Sequence, residues 1–146
     1  MKKAALVIVS ILLLASQASA EDKVDLNKNQ VVLKLSGLQS TKGKVLCALH
    51  KEKGWLKDRY KQSVVKINAD KTAECFFAQV PPGTYAVAAF HDENGDGELE
   101  TNFIGIPQEG VAMSNVKKMG MGPPDFDDAK FSYKGGKKTL SSPMIY

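Results

Sequence analysis

One seven-residue run, Thr84–Phe90 (TYAVAAF), restricts the folds open to this chain more than any other feature. Successive side chains of a strand point to opposite faces. Tyr85, Val87 and Ala89 therefore share one face and Ala86, Ala88 and Phe90 the other, and neither face is polar. A strand of this kind must be covered on both sides, which places it centrally in a layered β structure. Pro81-Pro82-Gly83 precedes it and supplies a tight reversal, because Pro presets φ near about −65° and Gly accepts positive φ. Phe77, Val80, Tyr85 and Val87 are expected to pack around that reversal.

The remaining chain repeats the theme in shorter pieces. Strands are expected at Val31–Leu35, Lys44–His50, Ser63–Ile67, Ala73–Val80, Ala129–Lys134 and Lys138–Tyr146, separated by turn residues. Short β-rich runs with frequent breaks predict an all-β sandwich of seven to eight strands, immunoglobulin-like or transthyretin-like. No apolar spacing holds the helical period over several turns, so any helix should be short. Gln108–Asp128 shows no period. Phe103, Ile106, Met113 and Phe126 predict that this region packs down on the sandwich.

The N-terminus reads as a targeting segment. Met1-Lys2-Lys3 gives a positive start, a dozen apolar residues follow, and Ala18-Ser19-Ala20 fits a cleavage site, so residues 1–20 are expected to be a signal peptide. The apolar run is shorter than the roughly 20 residues a membrane span needs. Residues 21–29 form a polar leader and 30–146 one domain, with no transmembrane segment after cleavage. The expected location is periplasmic or secreted. Without Lys2 and Lys3 the basic count falls from 20 to 18 against 16 acids, which gives no reason to expect a nucleic-acid partner. Export to an oxidising compartment gives Cys47 and Cys75 a single possible pairing. Cys47 shares a strand face with Val45 and Leu49, and Cys75 with Phe77. A bridge is possible if both faces meet in one core; two buried thiols are the alternative.

The central strand runs directly into HDENGDGELE, where Asp92, Glu93, Asp96, Glu98 and Glu100 place five carboxylates in nine positions. Asp92-x-Asn94-x-Asp96-Gly97 has the alternate spacing by which a tight loop aims hard oxygens at calcium. Glu98 and Glu100 would add donors, and Glu109 would close the set if the chain folds back. An EF-hand is excluded, because the twelfth position from Asp92 is Phe103 rather than an acid. The competing readings are a surface turn built from Asn, Gly and Asp, or an acidic dock for a basic partner. His91 adjoins this loop, but no nucleophile motif accompanies it, so a strand-end histidine bonded to loop backbone is preferred. Zinc is disfavoured by the hard oxygen donors. Lys51–Lys61 (KEKGWLKDRYK) interleaves bases with Trp55 and Tyr60, which could suit a glycan or nucleic acid; a solvated loop with one aromatic at the core edge is preferred.

GTYAVAAFHDENGDGELETNFIGIPQEG, then Ser114-Asn115, then GPPDFDDAKF, resemble the bacterial exported proteins grouped as domain of unknown function 2141. The resemblance spans roughly Val31 to Tyr146. Glu100 stands where an aspartate is common, and VAM where an aromatic often precedes Ser-Asn. The resemblance implies an exported single-domain sandwich of transthyretin-like or immunoglobulin-like type and no established activity. The F-x-x-V-P-P-G-x-Y unit is also similar to carboxypeptidase regulatory-like domains, which are non-catalytic. The expectation is a non-enzymatic module with a calcium-type loop that meets an envelope or extracellular protein or glycan. The rivals are the same module without metal and a small transthyretin-fold hydrolase using His91.

Overall fold

The computed structural model describes residues 28–146, so the expected signal peptide and residues 21–27 of the expected leader lie outside the described residues. Among the described residues eight strands form: β1 (Gln30–Ser36), β2 (Lys44–His50), β3 (Lys61–Val65), β4 (Ala73–Phe77), β5 (Gly83–Asp92), β6 (Val111–Met113), β7 (Phe131–Tyr133) and β8 (Lys137–Pro143). One sheet has the order β4-β1-β8, with β1 antiparallel to β4 and parallel to β8. The other has the order β3-β2-β5-β6, and β7 pairs with the start of β5 at Gly83–Tyr85. This is the expected β-sandwich.

Alternation drives the assembly. Val31, Leu33 and Leu35 of β1, Val45, Cys47 and Leu49 of β2, Cys75 and Phe77 of β4, and Tyr85, Val87 and Ala89 of β5 all enter one buried core. Fully burying a large aliphatic side chain stabilises by roughly 1.5–3 kcal/mol each. Cys47 and Cys75 are bonded to each other, with Cα atoms 5.9 Å apart, and so tie β2 of one sheet to β4 of the other.

The second face of β5 is covered as its sequence requires. Ala86 packs with Met113, Val116, Phe126 and Ala129, and Trp55, Ala88, Met119 and Ile145 close around them. Phe126 and Ala129 come from α1 (Phe126–Ala129), one turn long, with a reciprocal cap between Asp125 and Asp128. Trp55 sits at the core edge and its Nε1 donates to the Pro124 carbonyl at 2.9 Å. Tyr60 stacks on Tyr85, and Lys51 Nζ lies 4.0 Å from its ring centre, so that aromatic surface is already engaged.

Ser114 fastens this layer. Its side chain is fully buried; the hydroxyl donates to the Ala129 carbonyl at 2.6 Å and accepts the Val87 N–H at 2.9 Å. Asn115, with φ of 63°, donates through Nδ2 to the Lys130 carbonyl at 2.8 Å. The Ser-Asn pair therefore clamps α1 and its flanks onto β5. Ser114→Ala leaves a buried N–H and a buried carbonyl short of a partner and is expected to cost about 1–3 kcal/mol, read from urea unfolding midpoints.

Several boundaries differ from expectation. β6 was hidden in the irregular region because three residues carry too little alternation to register. β4 stops at Phe77 because Gln79 adopts a positive φ of 53° before the Pro-Pro turn. β3 is shifted two residues towards the N-terminus, to Lys61–Val65. Met113 and Phe126 are buried as expected, whereas Phe103 and Ile106 are exposed. Among the described residues no helix is long and apolar enough to cross a membrane.

Candidate functional site in the acidic loop

β5 delivers Asp92 as its last residue, with no exposed surface. Across the strand pair Lys44 lies opposite it, and Lys44 Nζ is 3.8 Å from Asp92 Oδ2. The carboxylate then organises the turn that follows: Oδ1 accepts the Gly95 N–H at 2.8 Å and Oδ2 accepts the Gly97 N–H at 3.0 Å. Gly95 and Gly97 have φ of 79° and 80°, which side-chain-bearing residues rarely adopt. Asn94 Oδ1 accepts the Asp96 N–H at 3.1 Å, and Asp96 Oδ1 accepts the Glu98 N–H at 2.9 Å. Asn94 Nδ2 donates to Asp96 Oδ2 at 3.0 Å and to Glu100 Oε1 at 2.8 Å.

Glu109 does return to the loop. Its carboxylate, 8% exposed, accepts the N–H groups of Glu93 and Glu100, each at 3.2 Å. Asp92, Asn94, Asp96, Glu100 and Glu109 thus form one hydrogen-bonded unit, while the Glu98 side chain is exposed. Backbone N–H groups, the Asn94 amide and Lys44 supply the positive partners that this density of acids requires. The donor types suit a hard cation. Their arrangement as it stands does not converge: among the described residues no group of three or more His, Cys, Asp or Glu side chains is placed to hold a metal ion. A cation would have to draw oxygens out of these hydrogen bonds.

Beyond Glu100 the chain makes a short hairpin. Thr101 bridges to Pro107, Asn102 N–H donates to the Ile106 carbonyl at 2.9 Å, and Asn102 Oδ1 accepts the N–H groups of Ile104 and Ile106 at 3.0 and 2.9 Å. This bracing turns the apolar residues outward. Phe103 is 99% exposed, Ile104 65% and Ile106 52%, which corrects the expectation that Phe103 and Ile106 pack down. A sequence pattern records that a residue is apolar and not that Asn102 holds its backbone away from the core.

His91 is fully buried, with Nε2 2.8 Å from the Lys42 carbonyl and Nδ1 2.7 Å from the Tyr146 hydroxyl. A carbonyl only accepts, so Nε2 carries the hydrogen and Nδ1 accepts from Tyr146. Burial raises the Tyr146 phenol pKa above its ordinary value; the Gln39 N–H offsets this in part and Glu93 adds to it. Ser40 donates to Glu93 Oε1 at 2.7 Å, so its hydroxyl is not aligned on His91. The histidine is the strand-end anchor that the sequence suggests. Gly43 completes the seam, because a Cβ there would lie 1.9 Å from the Asp92 carbonyl oxygen. The roles of Gly43 and Tyr146 carry no local signal in the sequence, since they depend on distant segments meeting β5.

A family model described as an uncharacterized protein conserved in bacteria (DUF2141) matches residues 33–141. Comparisons with curated proteins and with solved structures return no match. The matched span contains the central strand, the acidic loop, the exposed hairpin and the Ser-Asn clamp, and the chain belongs to this family of uncharacterized bacterial proteins.

Proposed function

We propose that this chain is an exported, non-catalytic module that presents the braced loop 92–109 to a partner in the cell envelope or outside the cell. The observation that carries this reading is the hairpin tip, where Phe103, Ile104 and Ile106 stand in solvent on a backbone held by Asn102 and Glu109. Contiguous exposed apolar side chains on a rigid frame are how interaction surfaces are built, and aromatic anchors dominate such contacts. The targeting segment supports export. The engagement of both His91 nitrogens in structural hydrogen bonds supports a role other than catalysis.

Phe103→Ser with Ile104→Ser is expected to change stability by no more than about 0.5 kcal/mol, because neither side chain is in the core. Capture of an envelope protein or glycan by the immobilised protein should be lost in the same variant. Capture that survives the double substitution would remove the hairpin from the reading.

A second reading keeps calcium as an ordering ion. Oxygens at alternate residues 92, 94 and 96 followed by Gly97 at positive φ favour it, and Glu98, Glu100 and Glu109 stand nearby in the chain. It predicts affinity of about 10⁻⁴–10⁻³ M, and a rise of about 2.7 kcal/mol in stability at a hundred times Kd. Titration calorimetry and thermal melting with calcium against chelator decide it. No heat together with an unmoved midpoint would leave the hydrogen-bonded loop as the complete account.

A further inference from the structure

The loops that leave β5 and β2 at their C-terminal ends carry opposite net charge. Residues 92–109 contain six carboxylates and no base, and leave β5 at its C-terminal end. Residues 51–61 contain five bases against two acids, and leave β2 at its C-terminal end. β2 and β5 are antiparallel, with Lys44 opposite Asp92 and His50 opposite Ala86. Six residues separate those pairs, about 20 Å at roughly 3.3 Å per residue. The two loops of one molecule therefore stand at opposite ends of the sandwich.

The basic end also offers a receptacle. A groove of about 580 Å³ runs along residues 115–125, with Val116, Met121, Pro123 and Pro124 as apolar walls and Lys117, Lys118, Asp125 and Asp128 as its charged lining. It joins the basic loop through the bond from Trp55 Nε1 to the Pro124 carbonyl. Lys117 and Lys118 are exposed, and Met121 is wholly so. The acids of this end are partly spent within it: Asp127 pairs with Lys130 at 2.7 Å, and Asp125 and Asp128 cap one another.

We infer that the acidic hairpin of one molecule docks into the groove beside the basic 51–61 loop of a second copy, so that the protein associates head to tail. The inference rests on the reading of the hairpin as a contact surface and names its partner. Phe103 and Ile104 would enter between Val116, Met121 and Pro123, while Glu98 and Glu100 face Lys117, Lys118 and the bases of the 51–61 loop. Burying an aromatic anchor supplies the affinity and the opposed charges set the orientation. Two different patches meet, so the contact is heterologous and each added molecule leaves one tip and one groove free.

Sedimentation velocity over a wide concentration range tests this with two variants, Phe103→Ser/Ile104→Ser and Lys117→Glu/Lys118→Glu, both of exposed residues and both checked by near-UV circular dichroism. The wild-type protein should grow in mass with concentration at low salt, and less steeply near roughly 1 M salt, where the screening length falls to about 3 Å and the charge pairs no longer help. Each variant alone should stay monomeric. Mixed together, they should form a one-to-one pair and nothing longer, since one keeps only its groove and the other only its tip. A wild-type protein that is monomeric throughout, association that survives either double substitution, or a mixture that fails to pair overturns the inference. If the protein is monomeric yet the hairpin still captures an envelope component, only the second copy as partner is lost. If hairpin substitution affects neither, the display reading falls as well.

Discussion

Asp92→Ala is expected to destabilise the protein by about 2–4 kcal/mol, although the residue lies at the rim of the sandwich. Its carboxylate is fully buried and holds the N–H groups of Gly95 and Gly97 while facing Lys44. Hydrogen bonds to a charged acceptor contribute about 1.5–3 kcal/mol each, and truncation leaves both donors facing a void. Solvent reaches the glycines in part, which keeps the sum below the upper limit. Asp92→Asn should lose about half as much, because one oxygen remains to accept. Urea unfolding gives the total, and amide exchange locates it: Gly95 and Gly97 should lose protection first, ahead of β5. A midpoint equal to that of the wild type would show that the loop is not anchored through this side chain.

Removal of the Cys47–Cys75 bridge is the second large effect. The two residues are 28 apart in sequence, and closing a loop of that size in the unfolded chain corresponds to about 3.6 kcal/mol on the chain-entropy model. The bridge also spans the two sheets, so its loss frees their faces to separate. Cys47→Ala/Cys75→Ala should lower stability by about 3–4 kcal/mol, and reduction of the wild-type protein should match it closely. Agreement between the two treatments would assign the effect to the covalent link. A much larger loss in the double variant would assign the difference to side-chain volume in a core where both positions are buried.

The architecture was largely legible in the sequence, because period-2 alternation states which side chains face inward. Val45, Cys47 and Leu49 were placed on one face by that rule, and all three enter the inter-sheet core. The doubly apolar run at Thr84–Phe90 announced a central strand, and β5 is flanked on both faces. What the letters do not carry depends on distant contacts. β6 is a strand because Val111–Met113 meets Ala88–Phe90, not because three residues prefer it. Within the acidic loop, the cluster and the returning Glu109 were visible as residue types at given spacings. The bonding that joins them was not, since an oxygen placed for a cation and an oxygen placed for an N–H look alike in a string of letters. The outward turn of Phe103 had no signal beyond the Asn-x-Ile-x-Ile spacing that Asn102 uses.

The parallel pairing of β1 with β8 has a consequence for how the molecule is made. Gln30 meets Lys137 and Ser36 meets Pro143, so the first strand gains one neighbour only from a segment more than a hundred positions later. Contacts so distant in the chain slow folding, because the closure entropy comes before the stabilising contacts. Until residues 137–143 dock, β1 has an open flank along that whole register. A fragment ending before Lys137 should therefore remain sensitive to protease where the whole chain resists.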